Sequence, residues 1–237
     1  MLSTKRMARN PVMKAHNGTD VAIFGGSFDP VHVGHLAIAQ AALDLELCKH
    51  VIWVPAARNP LKKRRPFAND SQRLEMLRLA TLGCPDFSIS EVELQRSGRS
   101  YTLQTVNQLR NAGTIGGSVS LLLGDDQLEK MTSWFDWEIL LSQCCLLVYQ
   151  RIYSEAERLQ SAIQSLSTAC LNAGVDARIK LVEMQPISVS STGVRQMIAS
   201  LGQDGNSSDL LFTKLGQMLP PNVFEYIINR NLYGGNR

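Results

Sequence analysis

Residues that could bind phosphate are concentrated in one short segment, Gly25-Gly26-Ser27-Phe28-Asp29-Pro30-Val31-His32-Val33-Gly34-His35. Two of the chain's four histidines, His32 and His35, lie three residues apart in it. At the start of a helix this spacing puts both rings on the same side. Adjacent glycines let backbone N–H groups approach a phosphate closely, and a helix N-terminus adds partial positive charge. The segment therefore predicts an anion-binding turn formed by Gly25, Gly26, Ser27 and Phe28, with the two histidines as further donors.

A second group of donors lies near the other end of the chain, in Val189-Ser190-Ser191-Thr192-Gly193-Val194-Arg195. Ser190, Ser191 and Thr192 offer three hydroxyls at a helix start, and Arg195 follows one turn later. Alone, this pattern is more typical of an ordinary helix cap followed by a surface arginine. Together with the first motif it favours polyphosphate binding.

Other chemistries fit these residues less well. The first motif is neither a GxxxxGK[ST] loop nor a GxGxxG turn. His32 and His35 could supply two zinc ligands, but no HExxH motif or cysteine cluster offers a third. The five cysteines contain no CxxC pair, and Cys144 and Cys145 lie inside an apolar run. Cys144 and Cys145 are therefore predicted to be core residues, and the cysteines together indicate a reduced, cytoplasmic protein without a metal site of its own.

The elements that must position both motifs follow from the pattern of apolar residues. Apolar runs predict strands at 21–24, 51–54, 119–123, 146–149 and 179–182, and alternation at Phe87, Ile89 and Val92 predicts one at 87–94. Helical spacing predicts helices at 34–47, 102–111, 153–171, 191–200 and 222–230, and one carrying Leu74, Met76 and Leu77 that Asp70 or Ser71 would cap. Alternation of this kind is typical of a single doubly wound, Rossmann-like α/β domain with a mainly parallel sheet flanked by helices. Such sheets bind ligands beyond the carboxyl ends of their strands, where the first motif lies.

Composition and charge narrow the class of protein further. The chain has 237 residues, of which 44% are hydrophobic and 19% charged, an ordinary globular composition. A net charge of +3 and an aromatic content of 6% weigh against a nucleic-acid-binding surface. No apolar stretch is long enough to span a bilayer. Residues 1–20 are basic, without periodicity or an apolar signal region, and are predicted to form a flexible tail ahead of one domain at 21–237.

The two motifs together resemble a known family. GGSFDPVHVGH is similar to the GGxFDPxHxGH form of the HxGH signature in bacterial nicotinate-nucleotide adenylyltransferases, a family of nucleotidyltransferases. The second motif is similar to their ISSTxIR sequence and follows about 155 residues later. The resemblance covers roughly residues 21–233. It implies transfer of AMP from ATP to nicotinate mononucleotide in NAD biosynthesis, with release of pyrophosphate and with Mg²⁺ arriving with ATP.

The resemblance also implies roles for residues between the motifs. Gly124-Asp125-Asp126 matches a Gly-x-Asp sequence that binds a ribose or the adenine side of the nucleotide, so Gly124 and Asp126 are carried over. Arg151 resembles an arginine near the adenine. Pro60-Leu61-Lys62 stands where the family has Pro-His-Lys, and only Lys62 is carried over, as a mobile phosphate contact.

For the pyridine nucleotide, the resemblance implies two contacts. Ser100, Tyr101 and Thr102 match a Ser-Tyr-Thr turn that lies along this nucleotide in the family. Trp134 matches a tryptophan that stacks on the nicotinate ring. Trp137 is instead predicted to be a core residue.

In the reaction that the resemblance implies, His32 and His35 donate to α- and β-phosphate oxygens. Ser191, Thr192 and Arg195 hold the β- and γ-phosphates together with Lys62. Nicotinamide mononucleotide or another phosphorylated acceptor remains an alternative substrate. A non-catalytic nucleotide-binding protein on the same fold also remains open, because fold alone does not decide function. No nucleic-acid or membrane partner is expected, and a homo-oligomer is left open.

Overall fold

The computed structural model describes residues 21–58, 64–117, 119–150, 156–185, 187–201 and 208–234. Their central element is a six-stranded sheet in which all five neighbouring pairs of strands are parallel. The strands are β1 Val21–Gly26, β2 His50–Pro55, β3 Phe87–Ile89, β4 Val119–Gly124, β5 Cys144–Tyr149 and β6 Arg178–Val182. Their order across the sheet is β3-β2-β1-β4-β5-β6, the order of doubly wound nucleotide-binding sheets. The predicted fold class is confirmed.

Eight α-helices and one 3-10 segment connect and flank these strands in the described part of the chain. The helices are α1 Val33–Asp44, α2 Asp70–Ala80, α3 Thr102–Asn111, α4 Trp137–Gln143, α5 Ala156–Ala173, α6 Ser191–Ser200, α7 Ser208–Met218 and α8 Pro221–Asn229. The 3-10 segment, Asp125–Ser133, follows β4 directly. None of the helices described is long and apolar enough to cross a membrane.

Two hydrophobic clusters cover the two faces of the sheet. Alternate residues of β1 divide between them, with Ala22 and Phe24 in one cluster and Val21 and Ile23 in the other. Side chains from α1, α2, α6, α7 and α8 complete the first cluster, whereas α3, α4, α5 and the 3-10 segment complete the second. Because both faces are covered, the central strands β1, β2, β4 and β5 are mainly apolar along their length rather than alternating, which is why they could be predicted from the sequence.

Most predicted elements are observed, with α3 and α6 matching to the residue. The strand predicted at 87–94 is wrong beyond Ile89, because the chain turns there and the Gln95 amide donates to the Glu91 carbonyl. Helix α2 is capped by Asn69 rather than by Asp70 or Ser71. The Asn69 side chain and the Gln72 side chain each accept from the other's backbone N–H, a reciprocal cap. The predicted tail at 1–20 lies outside the described residues.

The strand order reverses between β1 and β4, which leave the sheet toward opposite faces. Val21 pairs with Val119 and Ile23 with Leu121, and the pairing ends there, before the carboxyl ends of the two strands. Helix α1 follows β1 on one face, and the 3-10 segment follows β4 on the other. Their divergence opens a crevice at the carboxyl edge of the sheet, the usual ligand site of this architecture.

Candidate active site

A cavity of about 550 Å³ occupies this crevice. That volume lies within the usual range for small-molecule and cofactor sites. Its walls come from β1 and the turn that follows it, from the end of β4 and the 3-10 segment, and from residues around the start of α3. Among the predicted site residues, those lining it are Gly25, Gly26, Ser27, Phe28, His35, Ser100, Tyr101, Thr102, Gly124, Asp126, Trp134 and Ser191.

The two glycines of the first motif have different structural reasons to be small. A Cβ on Gly26 would lie 2.9 Å from the Phe28 ring, so glycine is required there by the turn itself. A Cβ on Gly25 would meet no protein atom within 4 Å. Since Gly25 lines the cavity, its missing side chain leaves room for a ligand rather than for a neighbouring residue.

Phe28 holds the turn in a conformation that a non-glycine residue rarely adopts. Its φ is +46°, in the left-handed region, which costs about 1–3 kcal/mol. The ring is buried and lies 5.6 Å from the Phe24 ring, 5.3 Å from Trp53 and 5.2 Å from His35, centroid to centroid. Burial of this aromatic side chain stabilises the turn against its backbone strain.

His35 lies on the cavity wall in a defined hydrogen-bonding state. Its Nδ1 accepts from the backbone N–H of His32 at 3.2 Å. A nitrogen that accepts cannot carry the proton, so this bond assigns the neutral tautomer with hydrogen on Nε2. His35 therefore presents one N–H donor from the first turn of α1 to a ligand in the cavity.

His32 packs against His35 and does not itself line the cavity. Its side chain is 5% exposed, and its ring stacks on His35 with centroids 3.7 Å apart. A Cβ on Gly34 would lie 3.1 Å from His32 Nδ1, so the glycine of the HxGH sequence allows this ring to pack closely. His32 is not among the residues that line the cavity, and its predicted contact with phosphate stays a prediction.

The second motif folds against the first. The Ser191 hydroxyl donates to the Pro30 carbonyl at 2.9 Å, and the Arg195 guanidinium donates to the Asp29 carbonyl at 2.5 Å. Ser190 caps α6 by accepting from the Gly193 amide at 3.1 Å. Because Ser191 lines the cavity, the N-terminus of α6 lies at its edge and adds partial positive charge there.

Thr192 and Arg195 lie just outside the cavity walls. The Arg195 guanidinium donates to the Thr192 hydroxyl at 3.1 Å and lies 4.7 Å from the centroid of the Phe67 ring. These contacts, with the bond to Asp29, point Arg195 along the turn of the first motif. Its predicted phosphate contact would require that the guanidinium also reach the neighbouring cavity.

Asp29 is a buried carboxylate that joins three separate parts of the chain. It is 4% exposed and accepts from the amides of Phe67 at 2.7 Å and Ala68 at 3.0 Å. The Tyr233 hydroxyl donates to it at 2.8 Å. Burial, together with the neighbouring Asp29 carboxylate, raises the pKa of Tyr233 far above its ordinary value, so this hydroxyl stays a donor. The turn of the first motif is thereby tied to the start of α2 and to the C-terminal residues.

On the opposite side of the cavity, the Ser-Tyr-Thr sequence begins α3. The Ser100 hydroxyl accepts from the amides of Ala57 at 3.1 Å and Arg58 at 3.2 Å, which fixes the segment after β2. The Tyr101 ring lies 4.7 Å from Phe135. Trp134 is half-buried beside it and packs against the core, so its ring forms part of an aromatic wall.

Several lining residues were not predicted from the sequence. Glu93 is buried, and its carboxylate accepts from the Thr105 hydroxyl at 2.6 Å. Arg99 is exposed and is the only lysine or arginine among the described lining residues. The sequence did not mark either residue as part of a site. Glu93 lies in a segment predicted as a strand, and Arg99 is not distinguished in the sequence from a charged surface residue. The cavity wall near α3 therefore carries a carboxyl group and a guanidinium group.

The end of β4 brings a carboxylate into the site. Gly124 closes the strand, and a Cβ there would lie 2.6 Å from Asp126 Oδ1. Asp126 also accepts from the Gln127 side chain at 2.6 Å. Close approach at Gly124 lets Asp126 fold back toward the strand end, where both line the cavity.

Known proteins with similar sequences identify the family to which the chain belongs. The cytidylyltransferase-like family model matches residues 23–197. A probable nicotinate-nucleotide adenylyltransferase of Carboxydothermus hydrogenoformans is 32% identical over 91% of this chain and 98% of its own length. One of Rhodopirellula baltica is 36% identical over 76% of this chain and 82% of its own. The chain belongs to the nicotinate-nucleotide adenylyltransferase family.

Solved structures share the fold of this family member at lower sequence identity. The nicotinic acid mononucleotide adenylyltransferase of Plasmodium falciparum, complexed with NaAD, aligns with a TM-score of 0.69 at 17% identity, covering 91% of this chain and 98% of that one. A putative nicotinate-nucleotide adenylyltransferase of Vibrio parahaemolyticus aligns with a TM-score of 0.57 at 15% identity, covering 91% and 96%. These likenesses extend over nearly the whole doubly wound domain.

The predicted site residues of this adenylyltransferase family member thus divide into three groups. Twelve line the cavity. Four lie next to it and hold it together, namely His32, Ser190, Thr192 and Arg195. Lys62 and Arg151 lie outside the described residues.

Proposed function

We propose that this chain transfers AMP from ATP to nicotinate mononucleotide. An oxygen of the acceptor's phosphate attacks the α-phosphorus of ATP, and the bond from that phosphorus to the bridging oxygen of the β-phosphate breaks. The products are nicotinate adenine dinucleotide and pyrophosphate. The reaction needs no covalent enzyme intermediate, because the second pKa of a phosphate monoester is about 6 and the acceptor is already a nucleophile at neutral pH.

One observation carries the proposal. A neutral histidine donor, two helix N-termini and a ligand-sized gap at Gly25 meet in one cavity at the strand-order reversal. These groups are suited to a polyphosphate, because they supply N–H donors and partial positive charge without a counter-ion to displace. Membership in the adenylyltransferase family supports the same reaction.

Different residues hold the two substrates, ATP and nicotinate mononucleotide, whose phosphates repel each other. On the ATP side, His35 donates from Nε2 to the α-phosphate oxygens, where negative charge grows in the transition state. The turn 25–28 and the start of α6 bind the rest of the phosphate chain. On the acceptor side, the Ser100–Thr102 segment and the Trp134 ring hold the pyridine nucleotide. Fixed positions for both substrates provide most of the rate enhancement in such a transfer.

Mg²⁺ is expected to enter as part of the MgATP substrate. Magnesium ions of this kind are held mainly by phosphates and waters, with few protein ligands. Within the described ranges, no three His, Cys, Asp or Glu side chains cluster as a ready-made metal site. Asp126 is the described carboxylate nearest the strand ends that lines the cavity, and it would be available to the ion's water shell.

Pyrophosphate release tests the proposal directly. The purified chain is given MgATP with nicotinate mononucleotide or with nicotinamide mononucleotide in parallel reactions. A strong preference for the nicotinate form is expected. Equal or reversed preference would keep adenylyl transfer and change the acceptor. ATP binding without turnover on either acceptor, or on a wider set of phosphorylated acceptors, would favour a nucleotide-binding protein instead.

A further inference from the structure

A completely buried arginine lies directly behind the phosphate-binding turn. The Arg73 side chain on α2 is 0% exposed. Its guanidinium donates to the Ser27 carbonyl at 2.7 Å, across 46 residues of sequence. It also pairs with Asp70 at 2.6 Å, whose side chain is 53% exposed. The Nε of Arg73 has no hydrogen-bond partner among the described residues.

A buried guanidinium with an unsatisfied N–H is costly, so its retention calls for a reason. Burial of the carbon chain alone does not supply one, since methionine or leucine would fill the same space without a charge to desolvate. The ion pair with Asp70 does not explain the buried charge either, because the Asp70 carboxylate lies at the surface. The guanidinium also acts electrostatically on the neighbouring Tyr233, but its other hydrogen bond among the described residues goes to Ser27, a residue of the turn that lines the cavity.

That bond determines the direction of one peptide group. In a trans peptide the C=O and the next N–H point to opposite sides. With the Ser27 carbonyl held toward Arg73, the Phe28 N–H points away from Arg73. Ser27 and Phe28 both line the cavity, whereas Arg73 does not. The observed orientation therefore turns a donor, rather than a carbonyl oxygen, toward the side where phosphate would bind.

The backbone angle of Phe28 shows that this orientation needs support. Rotation of the Ser27–Phe28 peptide by half a turn would change the φ of Phe28 from +46° to about −134°. The latter value is ordinary extended backbone that any residue adopts. A flipped peptide would thus relieve the strain at Phe28 and would aim the Ser27 carbonyl oxygen at an incoming phosphate.

We propose that Arg73 is a positioning residue that holds the Ser27–Phe28 peptide in its anion-binding orientation. It touches no substrate. Its guanidinium keeps the strained orientation populated before ATP arrives, so that ATP binding does not have to select a minor form. The inference rests on the proposed function for its ligand, ATP, and it deepens that function by assigning the preorganisation of the phosphate turn to α2.

Replacement of Arg73 by methionine tests this assignment. R73M keeps the buried volume and removes the donor to Ser27. If the anion-binding orientation becomes a minor form, the apparent affinity for ATP falls by its population, and a 10- to 100-fold rise in KM for ATP is expected. At saturating ATP the bound form is repopulated, so kcat stays within about threefold of wild type. KM for the pyridine nucleotide stays unchanged.

A merely structural role would give a different pattern. Loss of folded protein lowers the active fraction, and hence kcat, but leaves both KM values unchanged. D70N is the matched control, because it removes the charge partner of Arg73 and leaves the bond to Ser27; its KM for ATP is expected within about twofold of wild type. If R73M does not fold, R73K and R73Q take its place and should raise KM for ATP by intermediate amounts.

Direct titration with ATP in the presence of Mg²⁺ separates this inference from the proposed function. Wild-type protein that binds ATP but releases no pyrophosphate would overturn the proposed function and leave the binding comparison in force. Wild-type ATP affinity in any folded Arg73 variant would overturn the inference, whatever the turnover.

Discussion

Two substitutions of His35 distinguish the roles of its two ring nitrogen atoms. Nδ1 accepts from the His32 amide and stabilises the start of α1, whereas Nε2 carries the hydrogen that faces the ligand. The Oδ1 of asparagine stands about where histidine has Nδ1, and the Nε2 of glutamine about where histidine has Nε2. H35N should therefore retain the contact within α1 and lose the donor, whereas H35Q retains a donor toward the cavity.

The size of each effect follows from the contacts. Loss of one preorganised donor to a developing negative charge costs about 2.7–4 kcal/mol of transition-state stabilisation, or about 10²–10³ in kcat. H35N also loses ring contacts with Phe24, Phe28 and His32, which we expect to lower the free energy of unfolding by about 1–2 kcal/mol. H35Q should keep more activity than H35N, although its flexible side chain must be ordered on binding.

The assay measures pyrophosphate release under saturating MgATP and acceptor, alongside urea unfolding of each variant. We expect kcat to fall about 10²–10³ in H35N and less in H35Q, with both proteins folded at the assay temperature. A loss of tenfold or less in folded H35N, or equal losses in both variants, would refute the assignment of a transition-state donor to Nε2.

Three further substitutions or labels test other parts of the site. In G25A the new methyl group meets no protein atom within 4 Å, so the free energy of unfolding should change by less than about 1 kcal/mol while KM for ATP rises; an unchanged KM would show that no ligand approaches Gly25. Y233F removes a donor to the buried Asp29 carboxylate and should lower the free energy of unfolding by about 1.5–3 kcal/mol in urea, and equal midpoints would contradict this. Cys84 is partly exposed, whereas burial raises the pKa of Cys144 to about 12, so a thiol reagent at pH 8 should label Cys84 quickly and Cys144 only after unfolding. Because unfolded Cys144 ionises near its ordinary pKa of 9.0 and folded Cys144 does not, stability should fall as pH rises from about 9 toward 12.

The strands could be predicted because parallel strands covered on both faces consist of continuous apolar residues. β4 and β5 are examples, and the buried Cys144 and Cys145 extend β5 by two residues beyond the predicted start. The strand at 87–94 was overextended because it was predicted from alternation at Phe87, Ile89 and Val92. Val92 is apolar and packs against the core, but it does so from a turn, which periodicity does not distinguish from a strand.

Helices α4 and α7 were not predicted, for local reasons. α4 has only 7 residues and begins after Asp136, whose φ of +48° is unusual for a non-glycine residue. Its apolar residues merge with those of β5 in the sequence, so one run contains two elements. α7 follows the polar segment at 202–207, and its tight packing involves mainly Leu215. A single buried position does not produce a clear helical period.

The motifs predict candidate site residues, twelve of which line the cavity, but they do not predict the contacts that orient those residues. Ser27 and Arg73 are 46 residues apart, and Asp29 and Tyr233 are 204 apart. Nothing in the sequence around Arg73 or Tyr233 indicates which distant residue it would contact. Only the folded sheet, which brings α2 and the C-terminal residues to the carboxyl end of β1, makes these pairs evident.

The first motif is consequently not a self-sufficient phosphate turn. Helix α2 holds its Ser27 carbonyl, α6 holds its Pro30 carbonyl through Ser191, and the C-terminal residues hold Asp29. Each of these bonds gives a carbonyl or carboxylate oxygen of the motif a donor within the protein. Every peptide carries one N–H and one carbonyl oxygen. An anion site made of backbone N–H groups therefore needs donors elsewhere in the protein for the carbonyl oxygens of the same peptides. Arg73, Ser191 and Tyr233 donate to oxygens of this motif from distant parts of the chain. Substitutions of these residues should therefore weaken ATP binding before they unfold the protein.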